Sequence, residues 1–133
     1  MDQYSYLNDW KDTRFIESRG RRFELPIFLP VYQMNASPMS LSTWKSSFGI
    51  EGCITNAYFL YKNRETRLQL EREMTIREYL DFDGLVMTDS GAFQGFTRPL
   101  YLKNSDIVRF QQAIGADIIS PLDLVTPPGD GRT

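Results

Sequence analysis

The sequence predicts an α/β protein built on a parallel sheet, and three observations carry that expectation. Short apolar runs, "CITNAYFLY", "GLVMTDS" and "ADIISPLDL", are separated by stretches of helical propensity, the alternation that produces βαβ units. Helix start and stop signals stand between them, clearest at "TIRE", where Thr75 precedes Glu78 in the capping-box arrangement. Polar residues close the runs: Asn56 ends "CITN", Asp89 ends "GLVMTD" and Asp123 ends "IISPLD". In parallel sheets the loops beyond the carboxyl ends of the strands are free to carry polar chemistry.

Taken in order, residues 1 to 22 show no sustained periodicity and end in Arg19, Arg21 and Arg22 around Gly20, a turn entering the first strand. That strand is expected over "FELPIFLPVY", where Pro26 and Pro30 each remove a ladder donor and favour an edge or irregular strand. "SPMSLSTWKSSFG" carries the punctuation of a short helix ending at Gly49. "CITNAYFLY" has the composition of a buried strand, interrupted by a polar Asn56 that needs an explanation. From Asn63 to Met74 the chain favours helix, with Arg67 and Glu71 at the i, i+4 spacing of an ion pair. A short helix over 75–81 places Ile76, Tyr79 and Leu80 on one face. "GLVMTDS" is short enough for a strand buried on both sides. "NSDIVRFQQAIG" offers cap candidates Asn104 and Ser105, apolar Ile107, Phe110 and Ile114, and Gly115 as a stop. "ADIISPLDL" reads as the last buried strand.

Composition removes several function classes. With 133 residues, 41% hydrophobic and 24% charged, the chain suits one domain or part of one. No run of about eighteen apolar residues exists and the N-terminus is acidic and aromatic, so a cytoplasmic protein without a membrane segment is expected. Cys53 is the single cysteine and histidine is absent, which rules out an intrachain disulfide and a Cys/His metal site. The missing histidine also disfavours Ser90 of "VMTDSGAFQGF" as a nucleophile, because a serine hydroxyl needs an adjacent base.

Asn56, Asp89 and Asp123 are expected to converge on one rim, Asp89 and Asp123 lying about one βαβ unit (roughly 30 residues) apart. An aspartate at a strand end also serves as an ordinary turn cap, and "LVTPPGD" after Asp123 suits that use. Phe93, near a glycine that permits close approach, is consistent with core packing or with a pocket for a flat ligand. A nucleobase would use these residue types, carboxylates accepting from ring N–H and amino groups and an aromatic face stacking on the ring.

"FDGLVMTDSGAFQ", "ITNAYFLYK" and "FQQAIGADIISPLDLVTPP" resemble the N-terminal half of the tRNA-guanine transglycosylases, particularly the archaeal branch that begins archaeosine synthesis. The resemblance runs from about Arg22 to Asp130, leaving 1–21 as an extension without an assigned role and 22–133 as a partial barrel domain. It implies the N-terminal half of a (β/α)8 TIM-type barrel that exchanges a D-loop guanine of tRNA for 7-cyano-7-deazaguanine (preQ0). By match to the motif, Asp89 is the general acid/base, Phe93 the stacking aromatic and Asp123 the acid that reads the amidine edge. Ser90, Asn56 and Gln94 match pocket positions. Base exchange with retention asks for two carboxyl groups, one nucleophilic and one acid/base. The acid/base needs its charged form disfavoured until the base closes the site, and the target nucleotide must leave its stack to enter.

The family's nucleophilic aspartate and its zinc ligands lie beyond the matching region. A zinc ion is therefore expected for the whole enzyme and not for this segment, and the missing half, or a second chain carrying it, is expected as a partner beside tRNA. An uncovered sheet edge would otherwise favour self-association into a homo-oligomer. The loop from Gly95 to Asn104 is short, as in archaeal members. At net charge −2 and pI about 5.1 the chain lacks the basic footprint of a phosphate-binding domain. The clusters Arg19/Arg21/Arg22 and Lys62/Arg64/Arg67 offer phosphate contacts or simply solvated surface. A non-catalytic accessory subunit and a purine-binding module are the competing readings.

Overall fold

The computed structural model describes residues 14–91 and 102–123. It is a mixed α/β body in which four extended segments lie side by side. Strand β1 (Phe15–Ser18) and strand β2 (Arg21–Glu24) form an antiparallel hairpin. Its turn residues Arg19 and Gly20 both have positive φ, 56° and 73°, the type I′ geometry whose twist matches the flanking strands. The region before residue 22 thus contributes a strand, although it shows no periodicity, because four-residue strands are too short to display one.

Helix α1 (Leu41–Phe48) starts at Ser40, whose side chain accepts from the Thr43 N–H, and stops at Gly49 in the left-handed conformation. Strand β3 (Gly52–Asn56) follows, then helix α2 (Ala57–Lys62). The expected strand over "CITNAYFLY" therefore ends halfway. Asn56 stops it: its side chain accepts from the Phe59 N–H at 3.2 Å and caps α2, which accounts for a polar residue inside an apolar run. Helix α3 (Arg64–Arg72) is capped in the same way by Asn63. Arg67 lies over the Tyr61 ring, 4.6 Å from its centroid, rather than pairing with Glu71. Helix α4 (Ile76–Leu80) begins at Thr75, which accepts from the Glu78 N–H.

Strand β4 (Leu85–Asp89) pairs in parallel with β3, Gly52 opposite Leu85 and Asn56 opposite Asp89. Helix α5 (Asn104–Ala113) follows, its apolar stripe Ile107, Phe110 and Ile114 buried and Gly115 in the left-handed region behind it. Neither Asn104 nor Ser105 caps α5; the cap position is Lys103, without a side-chain bond. Asn104 instead accepts from the Leu122 N–H at 2.7 Å.

Parallel bridges at Val31–Ile54 and Met87–Ile118 extend the pair on both sides. The spatial order is therefore the 30–32 segment, β3, β4 and the 117–118 segment, each beside its neighbour in sequence. The expected first strand is regular only where it overlaps β2, in the hairpin, and meets the parallel pair only at Val31, in keeping with its two prolines. The last one makes a single bridge and is half-buried from Asp117 to Ser120.

Side chains alternate across the sheet. Cys53, Thr55, Val86 and Thr88 are buried under the helices, in a core with Leu41, Leu60, Leu70, Ile76, Phe82 and Ile107. Tyr61 and Phe110 meet edge-on at 5.3 Å within that layer. Burial pushes the Cys53 thiol up to about 12, so it stays protonated and inert. Ile54, Asn56, Met87 and Asp89 face the other way and are only half-buried. At the amino ends the packing is tight: a Cβ on Gly84 would lie 2.4 Å from the Glu51 carbonyl oxygen, and one on Gly52 2.4 Å from Leu29 Cδ2.

Candidate functional site

The carboxyl end of the sheet gathers the polar groups. Asn56 and Asp89 end paired strands and are register partners, so their side chains leave the same face at neighbouring positions. Both are half-buried. Asn56 already uses its side-chain oxygen to cap α2, whereas among the described residues the Asp89 carboxylate accepts one long bond, from the Gly91 N–H at 3.4 Å. Ser90 is 2% exposed and joins the rim through its backbone N–H, which donates to Ser120 Oγ at 3.0 Å.

Asp123 does not close a strand. Extending the Met87–Ile118 bridge by two residues puts Ser120 beside Asp89, and beyond it Pro121 lacks the N–H a ladder needs. Asp123 lies in the exposed segment that follows. That segment is nonetheless held, because Leu122 donates to Asn104 and Ser120 is bonded on every side. Phe93 and Gln94 lie outside the described residues.

The sequence reading passed over Gln111. It is fully buried, accepts from Thr88 Oγ1 at 2.7 Å and from the Ser120 N–H at 3.2 Å, and donates to the carbonyls of Ser120 (2.8 Å) and Ile107 (3.2 Å). Its signal was available: Gln111 falls at i+4 from Ile107 and i−3 from Ile114, a polar residue on an apolar stripe. Asp117 was also passed over. Its side chain is 1% exposed at the opposite end of the sheet, accepting from Arg19 Nε at 2.8 Å, Arg77 Nη1 at 3.2 Å, the Val86 N–H at 2.8 Å and Ser18 Oγ. Burial would raise its pKa, but the bonds from Arg19, Ser18 and Val86 outweigh that and hold it below the usual carboxylate range.

Two depressions frame the choice of site. One of about 190 Å³ opens beside Asn56, lined also by Gln33, Asn35, Thr55 and Asn63, below the 300–1,000 Å³ usual for small-molecule sites. A larger one, about 650 Å³, lies at the amino end between Arg19, Lys45, Arg77 and Asp83. Its basic groups are already paired, Lys45 with Asp83 and both arginines with Asp117, so they serve the fold there. The Arg19/Arg21/Arg22 cluster is likewise engaged within the chain: Arg21 donates to the Asp83 carbonyl, and Arg22 pairs with Glu17 and covers the Phe15 ring. The zinc implied by the resemblance does not fit the residues present. The sequence has no histidine, its one cysteine is packed in the core, and the described residues hold no cluster of metal-ligating side chains. No helix among them is long and apolar enough to cross a membrane.

The chain matches the family model described as Queuine tRNA-ribosyltransferase over residues 13–133. It is similar to the tRNA-guanine(15) transglycosylase of Methanopyrus kandleri, 41% identical over 119 residues that make up 89% of this chain and 26% of that protein. The Korarchaeum cryptofilum protein of the same name is 43% identical over 118 residues, 88% of this chain and 20% of its own. That of Haloferax volcanii is 39% identical over 114 residues, 85% of this chain and 22% of its own. The chain thus spans about a quarter or less of the length of these relatives. By the extent of the family match and by these archaeal relatives, it belongs to the tRNA-guanine transglycosylase family.

Proposed function

We propose that this chain supplies the base-reading and acid/base part of a tRNA base exchange, in which a guanine of tRNA, at position 15 by analogy with the relatives' names, is replaced by preQ0. The observation that carries the reading is the pairing of Asn56 with Asp89 at the carboxyl end of a parallel sheet, beside the segment that bears Asp123. Four parallel segments in sequential order are what one half of a (β/α)8 barrel requires, and such barrels carry their chemistry at that end.

In this reading the Asp123 carboxylate accepts from the N–H and amino group of the base, and Phe93 stacks on the ring. Ser90, Asn56 and Gln94 line the pocket. Asp89 gives a proton to the departing guanine as the bond to C1′ breaks, and an aspartate from the remainder of the barrel takes C1′ in a covalent bond. Asp89 then removes the proton of the incoming base, which displaces that aspartate and restores the original configuration. A bound base covering the rim shields the half-exposed Asp89 from water, so proton transfer proceeds inside a closed site. The zinc of the whole enzyme belongs with the remainder of the barrel, as does most of the affinity for tRNA, a cytoplasmic substrate.

Titration calorimetry with guanine against the chain and its Asp123→Ala variant tests this. The expected result is a heat of binding that falls about tenfold or more in affinity in the variant, the consequence of losing a charged hydrogen-bond acceptor; equal heats for both would remove Asp123 from base recognition. Alone, the chain is expected to incorporate no guanine into tRNA, and supplying the remainder of the barrel should restore exchange. Binding without exchange in that mixture would leave a purine-binding module.

A further inference from the structure

Among the described residues, Gln111 is the one fully buried side-chain amide, and the base-exchange scheme does not use it. Its carboxamide is saturated, the oxygen accepting from Thr88 Oγ1 and the Ser120 N–H, the nitrogen donating to the Ser120 and Ile107 carbonyls. Thr88 immediately precedes Asp89. Ser120 accepts from the Ser90 N–H and donates to the Thr88 carbonyl. The backbone ladder between β4 and the next segment stops at Ile118. From there to Asp123, the bonds to β4 among the described residues run through Gln111 and Ser120.

We propose that Gln111 is a positioning residue: it clamps the end of β4 to the 119–123 segment, so that Asp89 and Asp123 are presented to one bound base as a rigid pair. The chemistry requires this side chain. Two acceptor bonds and two donor bonds must leave one planar group inside a dry layer, and a glutamate supplies the acceptors while setting a second oxygen against the Ser120 and Ile107 carbonyls. Methionine fills the same volume and supplies none of the four bonds. Asparagine is one methylene shorter and leaves buried groups unpaired. The assignment of the clamped carboxylates to a base rests on the proposed function; the clamp itself rests on the hydrogen bonds.

Amide hydrogen exchange in the full chain, with guanine calorimetry alongside, separates the two. Gln111→Met is expected to speed exchange at the Ser90 and Ser120 amides by about tenfold to a hundredfold, the loss that goes with unpaired buried groups, while the amides of Leu85 to Met87 keep their protection. Guanine affinity should fall in parallel. Gln111→Glu provides the rescue: its acid form regains a donor, so protection of Ser90 and Ser120 should return as pH falls through its titration. Unchanged Ser90 and Ser120 exchange in a folded Gln111→Met, or a flat pH profile in Gln111→Glu, would overturn the clamp. Faster exchange with unaltered guanine affinity would reduce Gln111 to a structural part and sink the positioning role. If the wild type takes up no guanine, the base reading falls, and the exchange data still decide whether the clamp exists.

Discussion

At the amino end of the sheet, one buried carboxylate, Asp117, is bonded by Arg19, Arg77, Ser18 and the Val86 N–H. At the carboxyl end Asp89 keeps, among the described residues, a single long bond from the Gly91 N–H and faces outward, half-buried. The two aspartates begin and end adjacent segments of the same parallel sheet, yet among the described residues one accepts from four groups and the other from one. The contrast also lies in the supporting cast. Guanidinium charges close the amino end, whereas the rim is organised by neutral groups, Gln111, Ser120, Asn104 and Asn56, which hold strand ends in place without neutralising a nearby carboxylate.

Removing the charge at the closed end should have the largest effect. Asp117→Asn leaves Arg77 partly buried without its counter-ion, and unfolding in urea is expected to show a loss of about 3–5 kcal/mol. Because the pKa of Asp117 is depressed in the folded state, its contribution is complete above the ordinary unfolded value of about 3.9 and disappears as pH falls through the lower folded value. The wild type should therefore lose stability below about pH 4 more steeply than the variant; parallel acid profiles would show that the two ends do not differ as described.

A smaller effect is expected at Asn56, the rim residue that also caps a helix. Asn56→Ala should cost about 1 kcal/mol in the same unfolding experiment, the usual loss of an N-cap, and a cost near zero would mean that its bond to Phe59 contributes nothing. Smallest of all should be Asp89→Asn, whose amide oxygen can still accept from Gly91. Its stability should stay within about 0.5 kcal/mol of wild type while exchange in the reassembled enzyme is lost. A large destabilisation would place Asp89 with Asp117 as a structural carboxylate.

Much of this division was legible in the chain. The helices over 41–48, 64–72 and 76–80, the cap at Thr75, and the strand ending at Asp89 follow from local chemistry, which a single sequence displays. Asn56 was visible as an anomaly, and its cause, a cap for the next helix, is also local; it was missed because aromatic "AYFLY" reads as strand until the capping bond is known. Asp117 depends on partners far away in sequence, Ser18 lying 99 positions from it, and no local pattern reveals them; Gln111 shows locally only as a polar residue on an apolar stripe, which does not disclose that it bonds Thr88 and Ser120. Asp123 was assigned to a strand end because the apolar run continues to it, whereas Pro121 and the turn of Ser120 toward Gln111 end the ladder first.

The glycines that open β3 and β4 have a further consequence. Neither Gly52 nor Gly84 has space for one methyl group, with Leu29, Glu51 and Phe82 pressed against the backbone there. The amino ends of the two paired strands are thus fixed against each other by direct backbone contact, and an alanine at position 84 would have to displace the Glu51 carbonyl and the Phe82 ring.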